Sequence, residues 1–475
     1  MTRGPYGPRM RRALALLLCA VVAPSCAVGV RRAAPKPTPS RTVVPVSAPP
    51  CSTVYRPADP RRPRVALTFD VAPDHASVTG TEHVVFTPDR PVTEVVLRLW
   101  PNGPWQRREG ARLEVTRASL PMTLADDGTT LVLALPAPSP AGRSVTVDLA
   151  FALTLPRASF DRLGHTERTA WFASAHPLLA WVRGEGWVRD PAADLLGETA
   201  VSEAAFYDVT VTAPAADTVL GVSLPDGPPE DAAGGVRRWH FVNAVARDVA
   251  VAAGPFATRQ ERVGTVPVLV AVSDELASGA AAETVLGPVL STATNAVRFY
   301  ADAFGPYPYP ALTVVALKPI GKGGVEYPGL VYVGSQRYEG VVPHEVAHEW
   351  FYGLVGDDQA RDPWLDEAFA TFAAASFDNG YNRYLDDLDA KGDVGRPMSY
   401  WEHHRDDYGK VVYAKGAAAL IAARDTVGAA AFDRRLRCYV AANAYRVATP
   451  AHLAAVLAPF PDAVRILTEA GALPR

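Results

Sequence analysis

The chain of 475 residues has few cysteines, and its apolar runs are short. Four cysteines are too few for the disulfide framework that stabilises small secreted domains. None of the apolar runs reaches the roughly 20 residues that an ordinary membrane-spanning helix needs. Hydrophobic residues still make up 48% of the chain and charged residues 20%. This composition excludes wholesale disorder and predicts two or three folded domains.

Basic residues are outnumbered by acidic residues over most of the chain. Residues 1–64 contain 12 Lys or Arg and a single acidic residue, Asp59, whereas the remainder has 35 basic and 49 acidic residues. A folded body with this acidic excess binds polyanions poorly. We therefore expect no nucleic-acid partner.

The N-terminus has the composition of an export signal. Four arginines within residues 1–12 precede an apolar run, Ala13–Ala23. This order predicts a signal peptide over residues 1–26, because the run is too short for an uncleaved membrane anchor. The small residues before Cys26 leave two exported forms open. One is a cell-surface lipoprotein whose only membrane contact is a lipid on Cys26, and the other is a secreted protein.

Residues 27–63 predict a linker, because nine prolines between Pro35 and Pro63 favour an extended, semi-rigid chain. After signal removal, Cys51 and Cys438 are the internal cysteines. Export permits a disulfide between them, and two unpaired thiols are equally compatible with the sequence.

The remainder divides into a β-rich first half and a second half that carries the chemistry. Short alternating runs such as Val65–Phe69, Glu94–Leu99 and Tyr207–Thr212 predict strands with one packed face. We predict a β-rich N-terminal domain, sandwich- or saddle-like, over residues 64–256. A second domain follows over residues 257–475.

One segment of the second half has the spacing of a metal site. His344-Glu345-Val346-Ala347-His348 reads H-E-x-x-H. On a helix, residues i and i+4 lie on one face, so both imidazoles can bind one ion while Glu345 projects beside them. Neutral imidazole suits Zn²⁺. The segment therefore predicts a zinc site with His344 and His348 as ligands.

A third ligand is predicted downstream, at Glu367. Pro363 favours a helix start, and the residues around Gly356 provide a loop between this helix and the preceding one. The second helix can then return and bring Glu367 to the two histidines. Two His and one Glu leave the fourth position of a zinc ion open, which is typical of catalytic zinc sites.

With these motifs, residues 64–475 resemble the zinc aminopeptidases of the M1, or gluzincin, class, most strongly between residues 296 and 420. The class carries H-E-x-x-H followed by Glu at this spacing. The other matching segments are Trp364–Ala370 (W-L-D-E-A-F-A, close to W-L-N-E-G-F-A), Gly323–Tyr327 (G-G-V-E-Y, similar to G-A-M-E-N), Tyr413–Ala417 (matching Y-x-K-G-A) and Phe304–Pro310.

The resemblance implies a multidomain fold in which the β-rich domain is followed by a thermolysin-like α+β zinc metallopeptidase domain. It implies one Zn²⁺ per chain, bound by His344, His348 and Glu367. The zinc site would lie at the junction of the two domains, and peptides would be the substrates.

The resemblance also implies roles for three further residues. Glu345 would take a proton from the attacking water and pass it to the leaving amine. Tyr413 would donate its hydroxyl to the oxyanion of the tetrahedral intermediate. Glu326 would bind the free α-ammonium of the substrate and so select the N-terminus of a peptide.

The first half departs from the class. The usual segment rich in Arg-Phe-Pro and Asp-Glu-Pro is absent, and Trp171–Pro177 reads W-F-A-S-A-H-P. Glu167 is the one candidate for the Gln or Glu that joins the amine site from this domain. The chain ends 62 residues after Tyr413, so we expect a more open cleft than in longer members.

Three functions remain open at this stage. The sequence favours an exported zinc aminopeptidase that removes N-terminal residues from peptides. A zinc endopeptidase is the first alternative, with Glu326 not engaging a free amine. A catalytically silent cell-surface binding protein is the second, and the presence of Glu345 and Tyr413 argues against it.

Overall fold

The computed structural model describes residues 51–197, 200–334 and 338–475. The signal peptide, Cys26 and most of the predicted linker lie outside these residues, so export and lipidation stay predictions. Among the described residues, none of the helices has both the length and the apolar surface to cross a bilayer.

The first half consists mainly of strands, as the alternating runs predict. In the strand that begins at Arg64, the side chains of Val65, Leu67, Phe69 and Val71 are buried while every other residue is exposed or half-buried. The elements are β1 Arg64–Val71, β2 Ser77–Phe86, β3 Val92–Arg98, α1 Pro104–Glu109, β4 Arg112–Ala118, β5 Met122–Ala125, β6 Thr130–Ser139, β7 Val145–Thr154, β8 Leu163–His165, β9 Ala170–Ala173, β10 Leu178–Leu179, β11 Trp181–Val182, β12 Gly186–Trp187, β13 Ala205–Pro214, β14 Thr218–Leu220, β15 Glu230–Ala232, β16 Val236–Ala246 and β17 Ala250–Gly254.

Three sheets of four or more strands arrange these elements around one apolar core. The largest has seven strands in the order β15-β16-β13-β1-β2-β7-β4. Its pairing is antiparallel except between β1 and β13, where Leu67 lies opposite Val209. The four-stranded sheets have the orders β10-β3-β6-β5 and β14-β17-β9-β8. Apolar residues of all three sheets contribute to the same core, which makes the first half a layered, sandwich-like body.

The second half combines a five-stranded sheet, in the order β18-β19-β20-β22-β21, with helices. The long helix α2 contains Pro288 and buries one face, including Leu286, Val289 and Tyr300, in the core. The elements are β18 Phe256–Val263, β19 Val266–Ser273, α2 Ala280–Phe304, β20 Leu312–Ala316, β21 Gly324–Val325, β22 Leu330–Val333, α3 Tyr338–Ala347, β23 Val355–Gly356, α4 Trp364–Phe377, α5 Met398–Trp401, α6 Arg405–Tyr408, a π-helical turn Gly409–Lys415, α7 Gly416–Val427, α8 Ala429–Asn443, β24 Arg446–Val447, α9 Pro450–Leu457 and α10 Pro461–Glu469.

The two halves share an apolar junction between the sheet of β14, β17, β9 and β8 and the five-stranded sheet. Trp171 is fully buried there, in a cluster that includes Tyr327 and Tyr332 from the second half. The hydroxyl of Tyr332 donates to the carbonyl oxygen of Val251 across the junction at 2.8 Å. The edge strand β21 and the loop that follows it therefore pack directly against the first half.

A disulfide joins Cys51 to Cys438 of α8 and settles the choice that the sequence left open. The segment after Cys51 lies along the second half. The hydroxyl of Tyr55 donates to the carbonyl oxygen of Pro306 at 2.8 Å, and the backbone N–H of Arg56 donates to the carbonyl oxygen of Ala441 at 3.0 Å.

Candidate active site

The H-E-x-x-H segment lies at the C-terminal end of α3, as predicted. His344 is inside the helix, whereas His348 is the first residue beyond it. The N–H of His348 still faces the carbonyl oxygen of His344 at 3.4 Å, which continues the helical spacing for one more residue. The two imidazole rings lie on one face with their centroids 4.7 Å apart.

Helix α4 brings Glu367 to the two imidazoles. Glu367 Oε2 lies 3.2 Å from His344 Nε2 and 3.6 Å from His348 Nε2. One donor atom from each of the three residues falls within 4.8 Å of the others. Two imidazole nitrogens and one carboxylate oxygen are the donor set of catalytic zinc sites, so the three side chains fit Zn²⁺.

The pKa of the Glu367 carboxyl is lowered, whereas that of the neighbouring Glu345 is raised. Burial would raise the pKa of the Glu367 carboxyl, but the hydrogen bond with His344 and the charge of His348 hold that pKa below its ordinary value. Glu367 therefore stays in the carboxylate form that a metal cation requires.

Glu345 lies beside this triangle, under the edge strand. Its side chain is 5% exposed, and one carboxylate oxygen lies within 4.8 Å of donor atoms of His348 and Glu326. A Cβ on Gly324 would collide with the Glu345 carboxyl, so glycine is required where β21 passes over this side chain. Burial raises the pKa of Glu345 well above its ordinary value, the charge of His348 opposes the shift, and the Glu326 carboxylate adds to it.

Asp366 supports the second histidine, and the sequence reasoning missed it. Its carboxylate contacts Nδ1 of His348, so Nε2 of that ring is left to face Glu367. The side-chain amide of Gln359 donates to the other Asp366 oxygen. Burial would lower the pKa of His348, but the negative charge of Asp366 raises it. The sequence did carry a signal, since Asp366 directly precedes the predicted ligand Glu367.

Tyr413 reaches the site from the π-helical turn Gly409–Lys415. Single-turn π segments often occur at functional sites, because the extra residue re-aims a side chain. The Tyr413 hydroxyl donates to Glu367 Oε1 at 2.5 Å, and its ring stacks against His344 with centroids 6.0 Å apart. Burial, together with the Glu367 charge, raises the pKa of Tyr413, so the hydroxyl keeps a proton to donate. Lys415 anchors the turn by donating to the carbonyl oxygens of Ala390 and Gly392.

Glu326 follows β21 at the edge of the same cleft, and its first-half partner is a cation. Arg162 Nη2 donates to Glu326 Oε1 at 2.6 Å. The expectation for Glu167 is wrong, because Glu167 is exposed and pairs with the exposed Arg157 at 3.0 Å. The chain between β7 and β9 folds so that Arg162 faces the cleft junction instead. No sequence pattern marked Arg162, which lies 164 positions from Glu326.

These residues share one cleft of about 660 Å³. Its walls are formed by β21 and the residues beside it, by α3, by α4 with the segment that follows it, and by Tyr413 of the π-helical turn. Its lining includes the five side chains Glu326, His344, Glu345, Glu367 and Tyr413, together with His348. The structure therefore brings all six predicted site residues to one place. They form a three-ligand metal site, a buried carboxylate beside it, a hydroxyl donor and a second carboxylate at the edge.

Comparisons with known proteins relate the second half of this chain to a peptidase family. Residues 289–465 match the model of the peptidase family M1 domain. Aminopeptidase M1-C of Oryza sativa subsp. japonica is 29% identical over 201 residues, which is 35% of this chain and 23% of that protein. Endoplasmic reticulum aminopeptidase 1 of Mus musculus is 28% identical over 189 residues, 33% of this chain and 20% of that protein. The chain spans less than a quarter of the length of these relatives.

The fold is similar to a solved structure over almost its whole length. The M1 zinc metallopeptidase from Deinococcus radiodurans covers 89% of this chain and 98% of its own chain, with a TM-score of 0.65 and 21% identity. A structure of a mutant of that protein bound to a Tyr-Ser-Ala substrate matches with a TM-score of 0.63. The order of a β-rich half followed by an α+β half is therefore similar to the fold of this Deinococcus radiodurans protein.

Proposed function

We propose that this chain is a member of peptidase family M1, whose domain model matches residues 289–465, and that it is a zinc-dependent aminopeptidase that removes N-terminal residues from peptides. The two relatives from Oryza sativa subsp. japonica and Mus musculus are named aminopeptidases. The tripeptide Tyr-Ser-Ala bound to the Deinococcus radiodurans protein is described as its substrate. Both observations support a peptide substrate with a free N-terminus.

One observation in the structure carries the proposal. Donor atoms of Glu326, Glu345 and His348 lie within 4.8 Å of one another. The α-nitrogen and the carbonyl carbon of one residue are separated by two bonds, or about 2.5 Å. An ammonium bound to Glu326 therefore places the first peptide bond, and no later one, at the metal site.

Zinc is the cofactor that the ligands fit. His344, His348 and Glu367 would hold it, and Asp366 would orient His348. A bound zinc ion would acidify a water molecule and polarise the carbonyl group of the peptide bond.

The remaining steps belong to the side chains of this chain. Glu345 accepts a proton from the attacking water and delivers it to the nitrogen of the leaving amine, so that the C–N bond breaks and a free amine departs. The Tyr413 hydroxyl, which donates to Glu367 Oε1 in the structure, turns to donate its hydrogen bond to the carbonyl oxygen as negative charge develops on it. Glu326 receives the substrate ammonium through a charge-assisted hydrogen bond.

One observation favours the endopeptidase alternative. The first-half group at Glu326 is the guanidinium of Arg162, rather than a carboxylate or amide that could add a second contact to the ammonium. If Arg162 fully satisfied Glu326, a substrate amine would gain little there, and internal peptide bonds would be cleaved equally well.

A matched pair of peptides separates these functions. We expect the purified chain, supplied with zinc, to cleave a free-amine peptide from its N-terminus and to leave the N-acetylated peptide of equal sequence intact. A chelator should abolish cleavage and added zinc should restore it. A preparation carrying Glu345→Gln controls for contaminating peptidases.

Each alternative predicts a different result in this assay. Equal cleavage of both peptides would favour the endopeptidase. A wild-type protein that binds zinc but cleaves neither peptide, across a panel of N-terminal residues, would favour the silent binding protein.

A further inference from the structure

Glu326, the carboxylate that is proposed to receive the substrate amine, is bound by Arg162 of the first half. Arg162, which directly precedes β8, donates from Nη2 to Glu326 Oε1 at 2.6 Å. The side chains of both residues are almost fully buried, at 7% and 6% exposure. A charge-assisted hydrogen bond in such surroundings is short and directional, and it fixes the orientation of the carboxylate.

Arg162 is itself held in place from several sides. Its backbone N–H donates to Asp161 Oδ1 at 2.7 Å, and its Nη1 lies 3.7 Å from the same oxygen. Asp161 in turn accepts a hydrogen bond from Gln106 at 3.3 Å. The guanidinium carbon lies 5.9 Å from the ring centroids of both Trp100 and Tyr327. These contacts hold the guanidinium against Glu326, and Arg162 is not one of the residues that line the cleft.

Glu326 needs such support because its surroundings are acidic. The Glu345 carboxylate lies within 4.8 Å of its own, and Glu367 lines the same cleft. Like charges at this range repel, and the repulsion is strong where water is excluded. The guanidinium of Arg162, in contact with Glu326, offsets this repulsion. One carboxylate oxygen is used by Arg162, and a carboxylate has a second oxygen that can accept from an ammonium.

We propose that Arg162 is the positioning residue of the amine site. It binds Oε1 of Glu326 and thereby directs the remaining oxygen towards the α-ammonium of the substrate. This inference rests on the proposed aminopeptidase function and adds that the β-rich half determines selectivity for free N-termini. Arg162 acts through Glu326 and does not contact the substrate.

A neighbouring contact provides a comparison within the same junction. Tyr327 follows Glu326 and shares a 2.7 Å hydrogen bond with the hydroxyl of Ser174, which donates to Asp248 at 2.6 Å. Tyr327→Phe removes this hydroxyl contact between the halves but keeps the ring beside Arg162. This variant shows whether any weakening of the junction alters selectivity, or only the loss of the Arg162 contact.

The test compares Arg162→Met, Arg162→Lys, Glu326→Gln and the double variant Arg162→Met with Glu326→Gln, all in the full chain with zinc. We expect Arg162→Met to lower kcat/KM for the free-amine peptide by about tenfold to a hundredfold, the loss of one hydrogen bond to a charged group. The loss should appear mainly as a higher KM, because ammonium binding contributes to the ground state as well as the transition state. Arg162→Lys should recover part of the loss, since it restores a cation without the planar fork.

The double variant distinguishes positioning from general structural support. If Arg162 acts through Glu326, then Arg162→Met should cost less than about threefold in the Glu326→Gln background. Tyr327→Phe, and Arg157→Met in the exposed Arg157–Glu167 pair, should leave kcat/KM for the free-amine peptide near the wild-type value and the acetylated peptide uncleaved.

Two results would overturn the inference and leave the aminopeptidase function standing. One is an Arg162→Met variant that keeps the wild-type preference for free amines. The other is an Arg162→Met substitution that lowers kcat/KM by the same factor in the wild-type background and in the Glu326→Gln background. Wild-type cleavage of acetylated peptides would instead reject the proposed function. If Arg162→Met does not fold, Arg162→Lys takes its place, because lysine retains the buried charge. Its effect on kcat/KM is then compared in the wild-type and Glu326→Gln backgrounds, and the same two results would overturn the inference.

Discussion

The metal end of the cleft and its amine end are assembled in different ways. The metal end takes its ligands and its proton acceptor from one continuous stretch, from His344 to Glu367, on two helices joined by a loop. The amine end combines Glu326 from an edge strand with Arg162 from the other half of the molecule, 164 positions away. Helical spacing fixes the first arrangement locally. The second depends on how two sheets pack, so the two ends can change independently.

The largest expected effect tests the metal end. Glu345→Gln replaces the carboxylate by an amide of nearly equal shape that cannot accept a proton. We expect zinc content to stay at one ion per chain while turnover of the free-amine peptide falls by roughly two to four orders of magnitude. Elemental analysis and steady-state kinetics on the same preparation check this. Turnover within tenfold of the wild type would show that another group accepts the proton.

The sequence predicted the metal end well because each of its signals is local. His344, His348 and Glu367 were placed by the period of a helix and the length of one loop, and the structure brings their donor atoms together. The strands at Val65–Phe69 and Tyr207–Thr212 were visible from alternation for the same reason.

The amine end could not be predicted to the same depth. Alternation says which face of a strand is buried, but it does not say that β1 and β13 pair in parallel. It also gives no account of which first-half residue faces Glu326. The choice of Glu167 failed because an amide or a carboxylate was expected beside Glu326, whereas the first half supplies the guanidinium of Arg162 there. The π-helical turn that presents Tyr413 likewise leaves no period in the sequence.

A smaller effect, on zinc affinity, is expected from Asp366, which contacts the ligand His348. Asp366→Ala removes the carboxylate that orients His348, and outer contacts of this kind typically contribute about tenfold to a hundredfold in metal affinity. Zinc affinity, measured by competition with a chelator, should fall by that factor. Asp366→Asn should recover much of it, because the amide oxygen still accepts from Nδ1–H.

Asp433→Ala provides a control for Asp366→Ala, since Asp433 pairs with Arg424 away from the cleft. A zinc affinity of Asp366→Ala equal to that of this control would mean that His348 keeps its orientation without Asp366. Zinc affinity would then depend on the three ligands alone. The metal end would differ more clearly from the amine end, where Glu326 is proposed to need Arg162.

The last effect concerns stability instead of catalysis and lies in the first half. His176 is buried between Glu82 and Asp248, with the ring of Tyr207 against it. Burial would lower its pKa, but the two carboxylates raise it to about 10. A histidine with a raised pKa stabilises the fold fully below its ordinary value of about 6.5. That stabilisation is lost as the pH rises through about 10. Burial also raises the pKa of Glu82, which acts in the same direction.

The free energy of unfolding should therefore fall between about pH 7 and pH 10, by at most about 1.4 kcal/mol per pH unit for one proton. Urea unfolding of the wild type and His176→Gln across this range measures the difference in slope. We expect the variant to have the flatter profile and an unchanged preference for free N-termini. Equal slopes would show that the histidine is neutral in the folded protein. A changed peptide preference would connect this cluster to the amine end.

The bridge between Cys51 and Cys438 has a topological consequence. It closes a covalent ring that spans 387 positions and contains the whole β-rich half, the cleft and all the proposed catalytic side chains. A protease that cuts one exposed loop inside this ring cannot separate the pieces, because the chain remains joined through the sulfur atoms. A singly nicked molecule would keep Arg162 and Glu326 in one covalent body, and only reduction would release the two fragments from each other.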